Sequence, residues 1–171
     1  MHALTCARRA PRAAGFAVLV LAAGVAAGCG ESLDVKRELL VSSVTTGWFD
    51  AGVLEDGKTK LVPTILFQLK NGAKSKITTV QLNGVFRRLE EEEEWGNGYV
   101  RAIGSGGLAA GDSTPPIVMQ STLGYTSTEP RLKMLQHSLV VDAEVELFAK
   151  HHGAQWVKVG EYVIDRQLLT N

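Results

Sequence analysis

The stretch Val141-Asp142-Ala143-Glu144-Val145-Glu146-Leu147-Phe148-Ala149-Lys150 decides how this chain folds. Val141, Ala143, Val145, Leu147 and Ala149 fall on one side of an extended backbone, and Asp142, Glu144 and Glu146 on the other. Side chains of a strand point alternately to its two faces, so a period of two marks a half-buried β-strand. The spacing predicts that strand over residues 139–150.

The same period recurs upstream. Between 60 and 70, Leu61, Pro63, Ile65, Phe67 and Leu69 share one face, and Thr64, Gln68 and Lys70 the other. Pro63 has no N–H to give a ladder, so it belongs at a sheet edge or a bulge. Asp56-Gly57 before this run is a hairpin signal. Further strands are expected over 38–49, 77–89, 95–103, 117–123 and 155–164, with Val80, Leu82 and Phe86 on one face of the third strand. The single helix candidate is 128–136, with Thr128 as its cap and Pro130 near its first turn. Seven short strands punctuated by turns predict an all-β fold: an antiparallel, two-sheet, immunoglobulin-like sandwich over 37–166. Residues 167–171 read as a C-terminal tail.

The N-terminus is different in kind. Arg8, Arg9 and Arg12 precede an apolar run over 13–27, too short for a membrane span, which needs roughly 20 residues. A basic start, a short apolar stretch and small residues make 1–28 an export signal, removed on maturation. Arg8-Arg9 hints at twin-arginine export, but the residues after the pair do not fit that motif. Of the two cysteines, Cys6 leaves with the signal. Cys29 alone remains, so no intrachain disulfide forms and the packed core must carry stability. The whole chain has 18 basic and 18 acidic residues. Loss of the three signal arginines leaves a mildly acidic domain with scattered lysines. That balance argues against nucleic acid, which would show a basic face, and against a polybasic membrane patch.

Two resemblances follow. Val25-Ala26-Ala27-Gly28-Cys29 resembles the lipobox of bacterial lipoproteins, with Ala26 where leucine is commonest. The resemblance implies cleavage between Gly28 and Cys29, a diacylglyceryl group on the Cys29 thiol and an N-acyl chain on its amine. It also implies a bilayer as partner. Gly30 stands where aspartate marks inner-membrane retention, which implies the periplasmic face of an outer membrane in a host that has one. Residues 29–36 form a short tether, reaching at most ~25 Å. Within the domain, Phe67-Gln68-Leu69-Lys70-Asn71, Ile77-Thr78-Thr79-Val80-Gln81-Leu82 and Gly107-Leu108-Ala109-Ala110-Gly111-Asp112-Ser113 are similar to motifs of bacterial immunoglobulin-like domains of the FxLYD type. Val85-Phe86-Arg87 stands near the place of the Leu-Tyr-Asp signature, which is missing. This likeness speaks to fold rather than activity. The strand at 63–70 also looks superficially similar to one in the outer-membrane lipoprotein of type VI secretion.

Candidate sites are few. Glu90, Glu91, Glu92, Glu93 and Glu94 form an acidic run that lacks the interleaved turn residues and glycine of a calcium loop. It reads as a solvated loop or a contact for a basic partner. His151-His152 lies in a hairpin loop, and neighbours on a strand face opposite ways, which disfavours a shared metal. Blue copper needs a thiolate, and the mature thiol is taken by lipid. Trp95, Tyr99 and Trp156 are candidates for contact with a partner or ligand. No nucleophile elbow, phosphate cradle or oriented histidine appears. The chain therefore reads as a non-enzymatic, membrane-anchored interaction or structural module without cofactor or metal, its partner an envelope protein or polymer. The alternative is a small-ligand or glycan binder using exposed aromatics.

Overall fold

A computed structural model describes residues 33–170. The expected signal over 1–28, the cleavage site after Gly28 and the lipidated Cys29 lie outside the described residues. The elements are α1 (Val35–Glu38), β1 (Leu39–Val53), β2 (Thr59–Asn71), β3 (Val80–Arg88), β4 (Glu94–Ile103), β5 (Ile117–Gln120), β6 (Tyr125–Ser127), α2 (Arg131–Gln136), β7 (Ala143–His151), β8 (Val157–Ile164) and β9 (Leu168–Leu169). One sheet runs β5-β2-β1-β9, with β6 also on β2, and the other runs β4-β3-β7-β8. Every pairing is antiparallel except β1 with β9. The fold is the expected all-β sandwich.

The period-two faces meet in the middle. Leu61, Ile65, Phe67 and Leu69 of β2 are fully buried, as are Leu82 and Phe86 of β3 and Ala143, Val145, Leu147 and Ala149 of β7. Each large aliphatic or phenyl group withdrawn from water in this way contributes about 1.5–3 kcal/mol. The β1–β2 turn closes on Asp56-Gly57 as predicted. Gly57 takes φ +80°, Leu54 N–H donates to Lys58 O at 2.8 Å, and the Asp56 carboxylate accepts the Lys58 N–H at 3.1 Å. On one side β4 crosses β5 so closely that a Cβ on Gly98 would lie 2.7 Å from the Gln120 carbonyl oxygen.

Five expectations are corrected. The domain starts earlier than residue 37: Val35 is buried and Leu33 packs on the core, while the Asp34 side chain caps α1 by accepting from Arg37 N–H at 3.2 Å. The strand expected over 117–123 stops at Gln120, and a further strand, β6, follows it at Tyr125–Ser127; the four residues between them face only Val62 and Pro63 of β2. Pro63, with no N–H to give, lies at this break, although β2 is an interior strand and Pro63 pairs with Trp48 of β1 in unbroken register rather than standing at a sheet edge. Thr128 does not cap α2, which begins after Pro130 without a side-chain cap; Ser127 Oγ takes the Glu129 N–H instead. The expected tail is part of a sheet. Leu168 and Leu169 pair with Trp48 and Phe49, and Gln167 donates to Thr46 O at 2.7 Å while its own carbonyl accepts from Trp48 N–H. Nine strands thus stand among the described residues rather than seven. The strand expected from 139 begins at Ala143, since Tyr125 Oη holds the Val141 backbone and Leu139 is exposed.

Candidate functional site

The two sheets do not close on the side opposite β4. β8 ends its sheet, and β1 is paired on that side only at Trp48 and Phe49. Between them lies an open cleft of about 570 Å³, lined by Val44, Thr45, Thr46, Glu161, Tyr162, Val163, Asp165 and Gln167. The ladder fixes which backbone groups face it. Leu89 N–H donates to Asp142 O, so Arg88 and Ala143 form a non-bonded pair and bonding alternates along β7. Val145 then bonds toward β8, opposite Tyr162. Glu161 and Val163, one step either side, turn their N–H and C=O groups outward.

Side chains shape the same edge. Val163 is 54% exposed, an apolar residue on an edge strand. The Tyr162 ring lies over Gly160, where a Cβ would come within 2.6 Å of it, and burial pushes the Tyr162 hydroxyl up from its ordinary pKa. Lys158 donates to Glu146 at 2.6 Å and also to Glu161, which raises the Lys158 ammonium above its usual range.

The three contact candidates divide. Trp95 is half-buried beside the core, with ring centroids 6.2 Å from Trp48 and 5.0 Å from Tyr125. Tyr99 and Trp156 are exposed and meet each other edge-on at 6.3 Å, with Lys150 Nζ 5.8 Å from the Trp156 ring. They stand on the outer face of β4-β3-β7-β8. Trp95 and Tyr99 differ by four positions, so a regular strand would put both on one face. The register slips between Phe86↔Gly96 and Arg87↔Glu94, leaving Trp95 as the extra residue of a β-bulge. A one-residue slip turns it inward.

The acidic run is the β3–β4 turn. Glu90 takes φ +67°, Arg88 pairs with Glu91 at 2.8 Å, and Arg87 pairs with Glu146 beside a shallow cleft. These arginines answer part of its charge. His151 and His152 stack edge-on at 4.2 Å, and His152 Nε2 lies 3.1 Å from Thr78 Oγ1. Burial, then the neighbouring His152, lowers the His151 pKa. Among the described residues no three metal-binding side chains gather.

Sequence reasoning missed the β8 edge. A single strand carries no mark of which sheet position it takes, and β8 keeps only loose alternation. It also missed how its own motifs meet. Asn71, fully buried, donates to Ser75 O and Leu108 O at 2.9 Å each and accepts from Ala73 N–H at 2.8 Å. The Asn71 turn and the 107–113 loop are therefore one hydrogen-bonded unit. No known family and no curated protein matches the chain, so its functional assignment stands on this geometry.

Proposed function

We propose that the chain is a lipid-anchored, non-enzymatic interaction module of the cell envelope that takes an extended segment of a partner protein along the open edge of β8. The observation that carries this reading is the outward backbone of Glu161 and Val163 beside an open cleft. Unpaired edges accept an added strand, with backbone bonds giving affinity and alternate side chains giving selectivity. Neither described cleft is lined by Trp95 or Trp156, which a glycan pocket built on those residues would require. The lipobox resemblance supplies the anchor: diacylglyceryl and N-acyl chains on Cys29, on the periplasmic face of an outer membrane in a diderm host.

The test is capture from solubilised envelope by the anchored protein, compared with Val163→Lys. A lysine on an exposed edge blocks strand addition while leaving the core intact. The expected result is a specific partner retained by wild type and lost by the variant, with unchanged melting. Equal capture by both would refute the edge. Mass spectrometry of the processed N-terminus tests the anchor; a bare Cys29 would refute it.

A second reading has its own support. Tyr99 and Trp156 form an exposed aromatic pair of the kind that stacks on sugars or flat ligands. A saturable change in Trp156 fluorescence with an envelope glycan, absent in Tyr99→Ala, would favour it over the edge.

A further inference from the structure

The end of the sandwich where the chain enters is held together by a continuous set of bonds. Gly72 N–H donates to Glu38 O, Asn71 N–H to Asp112 O, Ile77 N–H to Leu108 O, Thr79 N–H to Gly104 O and His152 N–H to Thr79 O. These bonds bring α1, the 72–79 connection, the 104–112 loop and the β7–β8 hairpin to one end of the fold.

Charge is sorted along this axis. Lys36, Lys70, Lys74, Lys76, Arg101 and Lys150 all belong to the entry end, and five of them are exposed. None of the six is in an ion pair among the described residues. With Arg37, they make seven cations against three described carboxylates there, Asp34, Glu38 and Asp112. The rest of the domain carries eight basic and fourteen acidic residues, and most of its cations are paired. A domain that is acidic in sum thus has a basic end. Composition alone argues against such a patch, because beyond Lys70, Lys74 and Lys76 its cations come from α1, β4 and β7, far apart in sequence.

We propose that this basic end is a docking surface for an anionic phospholipid bilayer, seating the domain against the membrane with the Trp156 side of the hairpin toward the headgroups. The inference rests on the anchor reading for its geometry. Only Gly30, Glu31 and Ser32 separate Cys29 from Leu33, which among the described residues is the first to pack on the core. Four peptide steps span at most about 14 Å, close to the ~8–10 Å over which exposed charges act at physiological salt. Juxtamembrane lysines near anionic lipid are attracted individually, and their effects accumulate. Trp156 is 39% exposed, with Lys150 against its ring, and an amphipathic aromatic beside cations suits the headgroup layer. The occupant is a lipid surface rather than a second protein because the chain itself delivers this end to the bilayer.

The experiment uses the processed, lipidated protein in vesicles of phosphatidylcholine, with or without roughly a third phosphatidylglycerol. Lysine acylation rates are read by peptide mass spectrometry. Flotation with pure phosphatidylcholine reports the anchor alone, since no charge attraction operates there. Protection reports the basic end. Lys36, Lys74 and Lys76 should react at least about threefold more slowly on the anionic vesicles, and high salt should abolish the difference. Lys58 and Lys133, elsewhere on the domain, should react alike on both. In the triple variant Lys70→Gln, Lys74→Gln, Lys76→Gln the protection of Lys36 should fall away while flotation persists. Equal rates on both vesicles, or the same slowing at Lys58 and Lys133, would overturn the docking surface. Failure to float would overturn the anchor and, with it, this geometry.

Discussion

Replacing Asn71 with alanine is expected to be the most damaging single polar deletion in the domain. The side chain is fully buried and fully used: two N–H bonds reach Ser75 O and Leu108 O, and its oxygen takes the Ala73 N–H. Alanine removes all three bonds and leaves Ala73 N–H and Ser75 O without a partner, while Leu108 O keeps the Ile77 N–H. Each lost bond costs about 1 kcal/mol net, and an orphaned buried group raises that toward 1–3 kcal/mol. Some relief comes from water entering at the loop, so the sum should be about 3–5 kcal/mol, a large part of the ~5–15 kcal/mol that holds a domain together. Equilibrium urea unfolding of the mature protein measures it directly. Asn71→Asp discriminates the cause. A carboxylate still accepts from Ala73 N–H but puts its second oxygen where Nδ2 stood, against both the Ser75 and Leu108 carbonyls, so it should be at least as damaging as alanine. A loss under about 1 kcal/mol for Asn71→Ala, or full stability in Asn71→Asp, would refute the reasoning.

Other outcomes follow from the same contacts. Glu146 accepts from Lys158 and Arg87, with the Lys158 bond the larger influence, and its carboxyl sits below the ordinary value of 4.5. A folded pKa below the unfolded one adds stability that is whole above pH 4.5 and is lost as pH falls through the lowered value. Glu146→Gln should therefore cost about 1 kcal/mol at neutral pH and flatten the acid limb of a melting-versus-pH curve. Gly98→Val should lower stability by about 2 kcal/mol or more and loosen the β4–β5 crossing, seen as faster amide exchange at Thr122, whose N–H bonds Asn97 O. Trp95→Ala should cost about 3 kcal/mol by opening the cluster with Trp48 and Tyr125, whereas Tyr99→Ala, at the surface, should cost under about 1 kcal/mol. Similar melting curves for the two would contradict the inward turn of Trp95.

The parts of the fold legible in the sequence were those written in alternation. β7 carries a two-residue rhythm whose apolar face is the buried one; in β2 the rhythm holds from Ile65 onward, while Val62 and Thr64 of the opposite face are buried as well. Asp56-Gly57 and Pro63 also act locally, through one turn and one missing N–H. What could not be read depends on partners distant in sequence. Two leucines at 168–169 look like a frayed end until β1 is placed beside them. Trp95 and Tyr99 share a parity that only the slip against β3 breaks. The open edge of β8 and the gathering of lysines at the entry end are properties of strand order and loop convergence, which no local window contains. The lipobox resemblance concerns residues outside those the structure describes, and the biochemical tests above address it.

The parallel pairing of β1 with β9 has a consequence for when the domain can become itself. Trp48 finds its neighbour in Leu168, 120 positions later along the chain. Gly47 is part of this seam, since a Cβ there would lie 2.8 Å from the Leu169 side chain. A growing or threading polypeptide can form the β1–β2 hairpin early, but this flank of β1 stays bare until the distant segment arrives. Closure of this flank therefore waits on a contact of long sequence separation, whose loop entropy must be met before the seam can reward it, and that places it among the slow steps of folding.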